Sequence, residues 1–69
     1  MFQFKRELIL PVFLASGLKV WQLAKLAGVA HGTAYRAVNG LSVSAPNAAK
    51  IARALKIDVL KFLVVPAQM

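Results

Sequence analysis

Glycines at positions 17, 28 and 40 each close a short run whose apolar residues recur at helical spacing. Glycine enters the left-handed conformation that ends a helix at little cost, so these positions read as stops. The helices between them are too short to be stable alone, and only packing against one another can hold them. With 69 residues and no cysteine, the chain reads as one domain, 1–69. It is near the lower size limit for folding without staples, and neither a disulfide framework nor a thiolate metal site is open to it.

The pattern predicts an all-α bundle of five short helices. The first runs from about Glu7 to Gly17, with Leu8, Leu10, Phe13 and Leu14 recurring at helical spacing; Pro11 predicts a late start or a kink. The second covers Val20 to Ala27, with Leu23, Ala24 and Ala27 inward. The third opens at Ala30 or His31 and ends at Asn39-Gly40, with Ala34, Ala37 and Val38 inward. Ser44 is the expected N-cap of the fourth, with Pro46 in its first turn and Ala48, Ile51, Ala52 and Leu55 as its stripe. Asp58 is expected to cap a fifth that ends near Leu63. The expected core spans about 7–63. Residues 1–6 and 64–69 are left as terminal arms or short strands, Phe2-Gln3-Phe4 by its alternation.

Nine Lys and Arg face only two acids, for a net charge of +7, which draws a small chain toward polyanions. Hydrophobic residues make up 59% of the chain, more than so small a domain can bury, and the surplus predicts a homodimer interface. Val59, Phe62, Leu63, Val64 and Val65 are its expected members, with Phe2 and Phe4 as possible additions. The longest apolar run, from Leu8 to Ala15, is far short of the ~20 residues needed to span a bilayer. Lys5-Arg6 followed by "LILPVFLA" mimics a signal peptide, but Glu7 interrupts it and its removal would leave too small a core. A cytoplasmic location is expected.

Two short helices joined at Gly28, with Ala24 and Ala34 permitting close crossing, describe a helix-turn-helix. "WQLAKLAGVAHGTAYRAVNG" followed by "SVSAPNAAKIARALKIDVLKFL" resembles the helix-turn-helix family of phage Cro proteins and repressors, over about Glu7 to Leu63. The resemblance rests on Leu23-Ala24, Gly28-Val29, Asn39-Gly40 and Ile51-Ala52-Arg53-Ala54-Leu55 ahead of Asp58. It implies a lambda-repressor-like fold, double-stranded DNA as partner, and a homodimeric repressor on a palindromic operator. Helix 30–38 would enter the major groove.

Carried over residue by residue, the resemblance assigns base reading to His31, Gly32, Thr33 and Arg36. It assigns backbone contacts to Lys19, Val20, Trp21, Tyr35 and Asn39, joined by the basic Lys5 and Arg6. The Arg36 guanidinium can pair with guanine through two parallel hydrogen bonds. Gly32 leaves a reading position without a side chain. Val20 stands where many members place a phosphate-binding Gln, and Phe13 and Val38 stand where many place an Arg–Glu pair. The loop Leu41-Ser42-Val43-Ser44 lacks the charge common there. The lactose-repressor headpiece is similar over the "AGV" turn, but lacks the preceding helix.

A chain this short leaves no room for an effector domain, so control is expected through concentration, a partner or operator competition. One His and two acids, far apart in sequence, make no catalytic or metal constellation, and no cofactor or small-molecule ligand is expected. The rival reading is an interaction module of the same fold, an antitoxin-like or adaptor subunit with weak DNA binding. A membrane-surface peptide is the third, suggested by the basic N-terminus.

Overall fold

A computed structural model describes residues 2–64. Strand β1 (Gln3–Phe4) precedes helices α1 (Arg6–Ala15), α2 (Val20–Ala27), α3 (His31–Val38), α4 (Ala45–Leu55) and α5 (Val59–Phe62), and strand β2 (Leu63–Val64) follows. The result is a mostly helical domain, as the glycine and alanine pattern predicts, with a small sheet joining its termini. The ends of α2 and α3 match their expected stops, and α4 ends at Leu55, the last residue of its expected stripe. Gly28 caps α2 with φ +75°, and Asp58 caps α5 by accepting a 3.0 Å hydrogen bond from the Leu60 N–H.

Among the described residues, twelve apolar ones form the core: Phe4, Ile9, Phe13, Leu23, Ala24, Ala34, Ala37, Val38, Val43, Ala48, Ile51 and Ala52. Five of them are alanines, which lets helix backbones approach where larger side chains would hold them apart. Phe13 and Val38 both lie in this core, so the site of an expected charge pair is apolar and no charge is desolvated there.

Of the two readings left open for the N-terminus, arm or short strand, the structure has the strand. β1 pairs antiparallel with β2, in the register Gln3 with Val64 and Phe4 with Leu63. Phe2 exchanges two 2.8 Å backbone hydrogen bonds with Val43, in the α3–α4 loop. The Phe4 side chain is 1% exposed, one of the largest fully buried side chains. These partners are distant in sequence, so a window on residues 1–6 carries no trace of them.

α1 differs from its reading in two ways. Of the late start and the kink that Pro11 allowed, the late start is absent: the helix begins at Arg6, one residue before the expected Glu7, and includes Pro11. The Lys5 N–H donates to the Phe62 carbonyl at 2.6 Å, while the Lys5 carbonyl accepts from Leu8 and Ile9, so the terminal sheet sets the helix start. Pro11 removes the bond to the Glu7 carbonyl, and both residues are exposed, where water can satisfy that oxygen. The buried face is also rotated: Ile9 and Phe13 point inward, while Leu8 and Leu14 are exposed at 40% and 66%. In a nearly continuous apolar run, periodicity cannot choose the face.

Candidate nucleic-acid interface

α2 and α3 share the most extensive helix–helix contact in the fold. The turn between them is built by Gly28 and Val29, whose N–H groups both donate to the Ala24 carbonyl, at 2.9 and 3.0 Å. Ala30 is extended and serves as the α3 N-cap. Ala34, Ala37 and Val38 are buried. With that face spent on the core, the helical period leaves His31, Gly32, Tyr35 and Arg36 exposed together on the other.

Gly32 has no neighbour within 4 Å of where a Cβ would stand. Nothing in the chain itself requires a glycine there.

Thr33 is half-buried and, with Arg36, lines an open polar concavity of about 280 Å³. Its other walls are Ser42, Val43 and Ser44 from the loop and Asn47 from the first turn of α4. Ser44 holds the N-cap position of α4, yet its hydroxyl makes no capping hydrogen bond, so it remains available at the rim. Ser42, Ser44 and Asn47 were not expected as site residues. The local signal was the density of hydroxyl and amide side chains in "SVSAPN", overshadowed by the lack of charge. None of the side-chain hydrogen bonds among the described residues engages the side chain of His31, Thr33, Arg36 or any lysine.

The expected backbone contacts separate into two groups. Lys19 is exposed at the N-cap of α2, and its own N–H is held by Gln22 Oε1 at 2.8 Å. Trp21 and Tyr35 are exposed at 54% and 53%, enough to lie along a sugar-phosphate chain. Val20, by contrast, packs against the core, leaving chiefly its backbone at the α2 start. Asn39 is half-buried, and its Nδ2 donates to the Tyr35 carbonyl at 2.9 Å at the end of α3. Lys5 and Arg6 lie elsewhere: the Arg6 Cβ sits 3.0 Å from the position a Gly40 Cβ would take, beside the C-terminal end of α3. The structure therefore does not bring them to the His31 end.

Of the expected dimer residues, Val59, Phe62 and Leu63 pack against this chain's own core. Val64 is 42% exposed and Leu60, beside them, 79% exposed, so these two carry most of the apolar surface at that end. Val65 lies outside the described residues. Among the described residues no cluster of three metal-ligating side chains occurs, and no single helix is long and apolar enough to cross a membrane. Comparison with protein-family models, with curated proteins and with solved structures finds no match.

Proposed function

We propose that this chain is a sequence-specific DNA-binding regulator of transcription. It would act as a Cro-like repressor, binding a palindromic operator as a homodimer and occluding the promoter. The observation that carries this reading is the outer face of α3, where His31, Gly32, Tyr35 and Arg36 are exposed together. An α-helix fits the major groove, and a guanidinium on its outer face can reach O6 and N7 of guanine. The polar concavity beside Arg36 suits a backbone phosphate flanking the bases, which Ser42, Ser44 and Asn47 can meet with neutral donors. Lys19 supplies positive charge at the start of α2, and the net charge of +7 supplies long-range attraction.

Two substitutions test the division between reading and holding. Arg36→Ala should weaken binding to a selected site by about 1–3 kcal/mol and relax the preference at one base pair. Lys19→Ala should weaken all sequences alike and flatten the salt slope by about one unit. Equilibrium binding to selected and scrambled duplexes at several salt concentrations checks both. Equal losses on both duplexes for Arg36→Ala would remove its role as a reader.

A further inference from the structure

α1 carries more apolar surface than the fold uses. From Leu8 to Ala15 it has no polar residue, and its inward face is taken by Ile9 and Phe13. Its exposed residues are Arg6, Glu7, Leu8, Pro11, Leu14 and Ala15. Glu7, Pro11 and Leu14, like Leu8, Pro11 and Ala15, are spaced by three and four residues, which sets all five on one side of the helix. A surface helix is ordinarily polar on that side, and a helix apolar all round is ordinarily covered. Arg6, Glu7, Pro11 and Leu14, with the half-buried Leu10, also line one open concavity of about 400 Å³. The apolar stripe and its two charges therefore form a single surface.

Charge decides which occupant fits. Arg6 and Glu7 cancel on this surface, although the chain carries +7 and has only two acids. A twofold contact sets one patch against its own copy, so a cationic face repels itself while a neutral apolar one does not. Arg6 and Glu7 are moreover complementary to a second Arg6 and Glu7. No side-chain hydrogen bond among the described residues engages the side chain of either. The α5 end, by contrast, has spent Val59, Phe62 and Leu63 on its own core and keeps Leu60 and Val64 exposed. We infer that the exposed face of α1 is the docking surface for a second copy of this chain, α1 against α1 across a twofold axis.

This second copy is the homodimer partner of the function proposed above, on which the inference rests. The contact uses none of His31, Gly32, Thr33 and Arg36, the residues assigned to base reading. An anionic bilayer fits the same face less well. It rewards cations along an apolar helix, whereas α1 has an acid directly after Arg6 and no cation beyond it. At 1.5 Å per residue α1 is about 15 Å long, so the contact is smaller than the roughly 800 Å² per partner of a standard interface. Dimerisation is therefore expected to be weak and concentration-dependent.

The test is sedimentation equilibrium of the full chain without DNA, up to about 0.5 mM protein, where even a weak contact forms. One variant carries Leu8→Gln and Leu14→Gln, at exposed positions, and a second carries Glu7→Lys, which makes the face cationic. A control, Leu60→Gln with Val64→Thr, alters the α5 end, and melting curves are recorded for all three. Expected is a dimer for the wild type, a dissociation constant raised about tenfold or more by the leucine variant, and a smaller rise for Glu7→Lys. The control should stay within about threefold of wild type. Undiminished dimerisation by either folded α1 variant overturns the proposal, as does a dimer weakened only by the control. So does a wild type that stays monomeric throughout, or a monomer that binds phosphatidylserine vesicles through Leu8 and Leu14. Because no DNA is present, a monomer that still binds a selected duplex overturns the α1 contact and leaves DNA binding standing. An α1 dimer that binds no duplex supports the contact and overturns only the DNA-binding reading.

Discussion

Phe4→Ala is expected to leave most of the protein unfolded. Removing a fully buried phenylalanine costs about 3–5 kcal/mol through lost transfer energy and the cavity left behind. A domain of this length has a total stability of roughly 3–10 kcal/mol, at 0.05–0.15 kcal/mol per residue. Phe4 is 1% exposed, and its strand joins the C-terminal strand through Leu63, so the loss also loosens the closure of the termini. Urea titration followed by helical circular dichroism should show the midpoint falling by most of its value. Phe4→Leu, which keeps much of the volume, should fall far less. A Phe4→Ala variant within ~1 kcal/mol of wild type would mean that residues 2–4 are an arm after all.

The second large effect is expected at Gly40, and Gly28 provides its control. Both have φ +75°, where an added Cβ costs about 1–2 kcal/mol by backbone strain alone. They differ in surroundings. A Cβ at Gly28 meets nothing within 4 Å, whereas at Gly40 it meets the Arg6 Cβ at 3.0 Å and the Phe4 carbonyl oxygen at 3.3 Å. Gly28→Ala should therefore cost about 1–2 kcal/mol, and Gly40→Ala roughly 2–5, since crowding typically adds 1–3. The excess at Gly40 measures how tightly the start of α1 is pressed against the end of α3. Equal costs at the two glycines would remove that contact from the account.

The same pair of glycines marks the boundary between what local sequence could and could not reveal. At Gly28 the stop, the left-handed turn and the close helix crossing follow from residues within a few positions of one another. The inner faces of α2, α3 and α4 were legible for the same reason, because alanines and branched residues alternate there with polar ones. At Gly40 the stop was legible but the close approach of Phe4 and Arg6 was not, since it depends on a strand more than thirty residues away. Phe4 itself was missed because its partners, Leu63 and the core, are nonlocal. α1 was placed with Phe13 and Leu10 toward the core, but Leu8 and Leu14 are exposed and Ile9 is buried in their stead, because Leu8, Ile9, Leu10, Phe13 and Leu14 offer more apolar residues than one face can hold.

The candidate interface divides in a similar way. The exposed set on α3 followed from its helical period once Ala34, Ala37 and Val38 were assigned inward. Lys5 and Arg6 were grouped with it by charge alone, and the fold places Arg6 at the other end of α3. The concavity beside Arg36 forms only when the loop and the start of α4 fold back against α3. Its lining residues are neutral, so a search for cations passed over them.

The central claim is that the exposed face of α3 reads a DNA sequence, and selection of bound sites from a random duplex pool tests it most directly. The account predicts enrichment of a palindrome whose half-sites lie about one helical turn, ~34 Å, apart. A guanine contacted by Arg36 should be enriched in each half-site, and its preference should disappear with Arg36→Ala. Affinity for the selected site should fall as salt rises, while remaining well above affinity for random DNA. A pool that yields no enriched sequence, with random and selected duplexes bound equally, would contradict it.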